Sequence, residues 1–384
     1  MKIKYRKDMM ILYFIFFFHI VDCFLKEVYG IYVFTYVKNL MMLLFIMYCF
    51  IQKKIKISWF GNKEFKTIIL MSVTFLAISI YQMMKNDTFN FIPFIGITRI
   101  LMPIFATYYI VNIYKLKDIT DTCKGSLCIS FAFYILDLLL TKRFSLDAFL
   151  NLTLSTTNGV ITESNVFSPL SMGLCIFLCA NEKRNMWTLL SLIFVVMTNK
   201  RVMILYGIIL FFFGQYFLKM LIKKKYQFIT AVLVLIVTVY YIQMNLQMID
   251  DSLIQNIFKV DLDSFGMGRA WLYRNIYNSN YKSAGFQTLN SSQFVQRSAE
   301  MDFPNMYLEM GALSILACVY AMFRLIRTNM YNYVIVTFVM VEMITSHFID
   351  ITYFWLFFYL TVFEINKSTE LSLMSNYEMG KKDE

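Results

Sequence analysis

Apolar runs of about 17 to 22 residues recur along this chain, parted by short polar breaks, and nothing else constrains its fold as strongly. The hydrocarbon core of a bilayer is about 30 Å thick and takes about 20 helical residues. Inside it every backbone N–H and C=O needs a partner within the protein, which leaves only helices or closed barrels. The chain has 13 Gly and 4 Pro in 384 residues, too little turn material for a barrel. Charge agrees: 16% of the residues are charged and 59% hydrophobic, whereas a soluble domain carries about 25% charge. The chain therefore reads as an all-α polytopic integral membrane protein with about twelve transmembrane helices. The spans fall at 9–25, 31–51, 67–84, 91–113, 125–140, 165–180, 186–198, 202–222, 226–244, 304–323, 331–348 and 350–365.

One stretch breaks this rhythm. Residues 245–303 stay polar and read as a single large extracytoplasmic loop between spans nine and ten. Residues 1–244 then carry spans one to nine, 304–365 spans ten to twelve, and 366–384 a cytoplasmic tail. Between the last two spans, 345–350 must form a very tight hairpin; the competing reading is one long tilted span.

Lysine and arginine placement gives the orientation. Lys2, Lys4, Arg6 and Lys7 precede the first span, and Lys53, Lys54, Lys56, Lys63 and Lys66 follow the second. With the N-terminus cytoplasmic, roughly two thirds of the basic residues fall on the inner side, as the positive-inside bias requires. The same bias accounts for the net charge of +11, and no basic patch interleaved with stacking aromatics argues for nucleic acid. The N-terminal MKIKYRKDMMILYFIFFFHIVDCFL has a basic start and an apolar core but no small-x-small cleavage site, so it reads as a retained first span. The seven cysteines form no CxxC pair and read as small core-facing residues. His19 and His347 are the only histidines, which excludes a His-rich metal site. Neither a metal nor a cofactor is expected.

Ionisable groups within apolar spans are costly and mark function by default. Lys38 lies near the outer third of span two and can snorkel to the interface. Arg99 stands between Pro93 and Pro103 in span four, where either a structural partner such as Asp22 or Asp137 or a lipid-phosphate pocket would account for it. Glu342, in the middle of span eleven, needs a partner or a proton, and Arg99 is one candidate.

Three pieces form a constellation on the outer face. The turn Thr198-Asn199-Lys200-Arg201 sets two cations at headgroup depth, where a guanidinium fork fits phosphate oxygens. The segment Gly266-Met267-Gly268-Arg269-Ala270-Trp271-Leu272-Tyr273-Arg274 permits a turn and a short helix. Trp271, Tyr273 and Tyr277 would be its interfacial anchors, and Arg269 and Arg274 are candidate phosphate ligands. The third piece runs from Ser298 to Gly311. Pro304 suits a first helical turn, and Asp302 before it suits the helix dipole. Asn305 and Glu309, four apart, share a face. Asp302 or Glu309 could deprotonate a sugar hydroxyl. The residues 275–298 read as a lid or acceptor-shaping segment.

These features together resemble the bacterial oligosaccharide repeat-unit polymerases (O-antigen and capsular polysaccharide polymerases) of the O-antigen ligase-like superfamily. The matching elements are an arginine at an outer turn between two mid-chain spans (TNKRVMILYG), an Arg-x-Trp segment in the large loop (GRAWLYRNI) and a polar start to the next span ending in Glu-x-Gly (DFPNMYLEMG). SNVFSPLSMGLCIFL is similar to the family's Asn-bearing span. The resemblance implies a metal-independent, inverting glycosyltransferase in the bacterial cytoplasmic membrane, acting on undecaprenyl-diphosphate-linked oligosaccharide within the membrane lipid. Flippase and chain-length regulator proteins would be its partners. It further implies that Arg201 and Arg269, with Arg274 and Arg99, hold the donor diphosphate, with Lys200, Asn305 and His347 in support. Ligase members carry a histidine just before the Asn at the start of this span. Here Pro304 takes that place, which disfavours a ligase. The alternative of another class is a flippase for lipid-linked repeat units, which would show two similar halves and no 60-residue loop. A membrane-bound acyltransferase would want a histidine in its motif.

Overall fold

The computed structural model describes residues 7–31, 33–51, 60–141, 166–250, 268–279, 281–291, 299–349 and 351–380, with isolated positions at 164, 252, 255, 256, 259 and 262. Residues 142–163 of the outer loop expected at 141–164, Asn165, the Gly266 and Met267 pair, Ser298 and residues 381–384 lie outside the described residues.

The described residues are helical and contain no strand; one isolated antiparallel bridge joins Leu221 to Asn329. The helices are α1 (Lys7–Tyr29), α2 (Val33–Ile51), α3 (Asn62–Asn86), α4 (Ile92–Ile113), α5 (Leu116–Leu140), α6 (Phe167–Asn181) and α7 (Met186–Met197). They continue with α8 (Arg201–Phe217), α9 (Lys224–Asn245), α10 (Arg269–Asn278), α11 (Asp302–Met310), α12 (Ala312–Leu325), α13 (Met330–Thr345) and α14 (Thr352–Gly380). Five of them, α2, α3, α4, α5 and α9, are long and apolar enough to cross a membrane by themselves. The apolar helices α6, α7, α8, α12 and α13 are shorter.

A helix that is apolar all round must be covered all round. Two helices meet that condition and form the centre. Every residue of α6 from Phe167 to Ala180 is buried, as is α14 over 352–366. They pack on each other; α4 closes over α14, and α5, α7 and α8 over α6. Rings of Phe338, Phe348, Phe354, Trp355 and Phe358 interlock where α13 turns into α14. The outer helices turn large apolar side chains outward instead: Leu43, Met47 and Phe50 on α2, Leu70 and Tyr81 on α3, Phe212 and Phe213 on α8, Phe228 and Ile236 on α9. Exposed apolar area of that extent has a lipid as its natural neighbour. The molecule is a helical, membrane-embedded protein.

Two sequence expectations change. The run 304–323, read as one span, is two helices broken at Gly311. That residue sits at φ 78, ψ −178, a region essentially reserved for glycine, and its N–H ends α11 on the carbonyl of Tyr307 at 2.9 Å. Lys38 does not snorkel. It is buried with Nζ 2.5 Å from Asp22 Oδ2, and Lys26 approaches the same oxygen at 3.0 Å. That trio ties α1 to α2 and removes Asp22 as a partner for Arg99. The tight hairpin at 345–350 does form, with α13 ending at Thr345 and α14 starting at Thr352 rather than one continuous helix.

At the end of α3 opposite Asn86, a second polar knot joins distant elements. Arg327 Nη2 donates to Glu64 Oε2 at 2.9 Å, and Arg327 also meets Glu370. Asn366 Nδ2 donates to Glu64 Oε1 at 2.7 Å, and Asn332 Nδ2 to Asn366 Oδ1 at 3.0 Å. This knot pins α3, α13 and α14 and supplies partners to Glu64, which is buried.

Candidate functional site

The site is built where the ends of α3, α4, α8, α10, α11 and α13 meet. Its floor is α11. Asp302, the first residue of that helix, is 1% exposed. Its Oδ2 accepts the backbone N–H groups of Phe348 at 2.6 Å and Ile349 at 2.8 Å, and its Oδ1 lies 2.7 Å from Nδ1 of His347. Asp302 N donates in turn to Ser346 O at 3.2 Å. One carboxylate thus holds the whole turn between α13 and α14. A carboxylate is an acceptor only, so this contact favours the His347 tautomer with its proton on Nδ1. His347 is 30% exposed in its side chain, and it is the residue that two cavities share.

The first cavity, about 230 Å³, is lined by Arg99, Asp302, Asn305, Glu309 and His347, with Gln287 and Asn290 from the loop wall. The second, about 210 Å³, is lined by Lys200, Arg269, Glu300, Glu342, Ser346 and His347, with Ser168 and Pro169 from the start of α6. The expected residues therefore divide. Arg99, Asp302, Asn305 and Glu309 meet in one chamber, Lys200 and Arg269 in the other, and His347 in the wall between. Arg201 is exposed and lines neither chamber; Lys200 beside it does. Arg274 turns its Nε to the carbonyl of Ala270 at 3.1 Å and lines neither. The four arginines expected around one diphosphate are not gathered at a single point. Arg269 meets Glu300 at 2.9 Å, a contact that the sequence reading did not include. Glu342 lines the second chamber rather than the one holding Arg99.

The segment expected to be a lid is a fixed wall over 281–291. Gln287 N and Leu289 N donate to the two carboxylate oxygens of Glu309 at 2.7 and 2.8 Å. Ser283 Oγ donates to Glu309 O at 2.6 Å, Asn86 Nδ2 to Ser283 O at 2.7 Å, and Phe286 N to Ser79 Oγ at 3.0 Å. Gly285, at φ 107, lies so close to α3 that a Cβ there would stand 2.4 Å from the Cβ of Ser79. Glu309 therefore serves as the bolt of this wall, while His347, held by Asp302, lines both chambers. Residues 292–298 lie outside the described residues.

α10 is fastened to the same floor. Tyr273, expected as an interfacial anchor, is fully buried. Its hydroxyl donates to Asn305 Oδ1 at 2.7 Å and accepts from Met301 N at 3.0 Å, while Asn305 Nδ2 donates to Ala299 O at 2.9 Å. Burial pushes the Tyr273 phenol well above its ordinary range, so it stays protonated and remains a donor. Trp271 and Tyr277 keep the exposure expected of anchors. Among the described residues, no cluster of His, Cys, Asp and Glu could hold a metal ion. Compared with models of known families, with curated proteins and with solved structures, the chain matches none.

Proposed function

We propose that this chain is a membrane glycosyltransferase that joins lipid-diphosphate-linked oligosaccharide repeat units at the outer face of the cytoplasmic membrane, with about twelve crossings and a cytoplasmic N-terminus. The observation that carries the reading is a histidine, fixed by a buried aspartate, in the wall between two polar chambers. A transfer between two lipid-linked sugars needs just such a base, with one substrate on either side of it. His347 Nε2 takes the proton of the acceptor hydroxyl, whose oxygen attacks the anomeric carbon of the donor sugar. The bond from that carbon to the diphosphate oxygen breaks, and the lipid diphosphate leaves with its electron pair. Lys200 and Arg269 line the second chamber and meet that charge, the diphosphate competing with Glu300 for the Arg269 fork. The acceptor occupies the chamber of Arg99 and Asn305. Proton removal by a positioned side chain is worth about 10²–10⁴ in rate.

One observation favours a second reading. Buried Glu309 and Glu342, one in each chamber beside His347, are the groups from which proton relays of transporters are made. A flippase moving the same lipid-linked units would use them. Purified protein in detergent is given an undecaprenyl-diphosphate-linked repeat unit, and products are sized by mass. The polymerase reading predicts a ladder of longer oligosaccharides. No ladder in detergent, together with transbilayer movement of the unit in proteoliposomes, would replace it with the flippase.

A further inference from the structure

A third cavity lies away from this site, at the opposite end of α12. It measures about 740 Å³ and runs between α3, α9 and α12. Lys63, Lys224, Arg324 and Arg327 line one end, and no acid lines it anywhere. Arg327 is already engaged by Glu64 and Glu370. Among the described residues no acid forms an ion pair with Lys63, Lys224 or Arg324. These three belong to the first turns of α3 and α9 and the last turn of α12, so one end of the groove gathers cations from three helices. Beyond them the walls are apolar, with Phe228, Val232 and Leu235 on α9 and Leu316 on α12, and Phe228, Val232 and Leu316 are exposed.

Its lining spans the depth that an occupant would fill. From Lys224 to Leu235 the helix rises about 16 Å at about 1.5 Å per residue. That is about half of the roughly 30 Å hydrocarbon core, the depth of one leaflet. A groove with cations at its mouth and an apolar body one leaflet deep matches an acyl chain with a negative headgroup. We propose that this groove binds an anionic glycerophospholipid, its phosphate on Lys63, Lys224 and Arg324 and one acyl chain along α9 and α12. The inference needs only the membrane-embedded fold and is independent of the glycosyltransferase reading. α12 connects the two sites: its far end follows Gly311, two residues after Glu309.

Protein purified in a mild detergent is titrated with phosphatidylglycerol or phosphatidylcholine of the same acyl chains. Bound lipid is counted by native mass spectrometry, and thermal unfolding is followed in parallel. Phosphatidylglycerol should be retained about tenfold more tightly or better, since each surface cation favours an anionic lipid. The triple variant Lys63→Gln, Lys224→Gln, Arg324→Gln should lose that preference. Val232→Trp, at an exposed position of α9 that leaves all three charges in place, should block the chain path and lower retention of both lipids; it carries the test alone if the triple variant does not fold. Equal retention of the two lipids by the wild type, or unchanged retention of phosphatidylglycerol by the variants, would overturn the proposal. So would displacement of phosphatidylglycerol by an equimolar polyprenyl phosphate, which would assign the groove to the isoprenoid instead.

Discussion

At the scale of single residues, the site depends on which oxygen holds which hydrogen. Asp302 keeps the Nδ1 proton of His347 in place and closes the turn through two backbone donors. Asp302→Asn leaves one carbonyl oxygen for the Phe348 and Ile349 N–H groups and turns an amide N–H toward Nδ1, forcing the wrong tautomer. Turnover should fall about 10²-fold or more, with donor affinity nearly unchanged, as read by single-turnover kinetics beside a binding titration. A parallel fall in affinity would make Asp302 a binding residue. The sequence marked Asp302 and His347 as candidates but gave the first the base's role and the second a supporting one. Their partnership could not be read because 45 positions separate them and two apolar helices intervene. Lys200 and Arg201 are a similar case. Both stood out as cations at an outer turn, but which of them faces inward depends on the rotation of α8. Lys200→Ala should therefore cost more polymer length than Arg201→Ala, measured as product ladders from membranes holding equal amounts of each protein; the reverse order would return the diphosphate to Arg201.

Secondary-structure elements were legible where periodicity or sheer apolar length decides them, and less so where a neighbour does. Each expected span overlaps helix among the described residues, because burying unpaired backbone in lipid leaves no other choice. The break at Gly311 was not legible, because a Glu-Met-Gly step within an apolar run resembles any small residue in a span. It is imposed by what α11 must carry: Asp302, Asn305 and Glu309 all face polar partners at one end. The wall over 281–291 was equally hidden, since its anchors, Ser79 and Glu309, lie on distant helices. Two substitutions probe it. Glu309→Gln replaces one acceptor oxygen by an amide and leaves a backbone N–H unsatisfied, costing about 1–3 kcal/mol. Gly285→Ala adds a Cβ into the backbone of α3 at a positive φ, a strain of about 1–3 kcal/mol before any clash. Thermal unfolding in detergent should register both; a Gly285→Ala protein as stable as wild type would mean that the wall is not seated on α3.

Across the whole molecule, two polar knots at opposite ends of the bundle enclose an apolar centre of α6 and α14. Composition announced the membrane but could not announce the knots, because Glu64, Arg327, Asn332 and Asn366 come from four separate segments. Glu64→Ala leaves Arg327 with Glu370 alone and takes one acceptor from buried Asn366, and should destabilise the fold by about 1–3 kcal/mol without changing relative activity among the molecules that remain folded. An activity loss beyond the folded fraction would couple this knot to the chambers. Those chambers carry the central claim, that His347 works on substrates held on both sides of it. It is tested by following polymer growth on purified lipid-diphosphate-linked repeat units with wild type and His347→Ala at matched donor occupancy. The two-chamber base predicts that donor binding persists while the rate of chain extension falls about 10²–10⁴-fold. Chain extension by His347→Ala at the wild-type rate would contradict it.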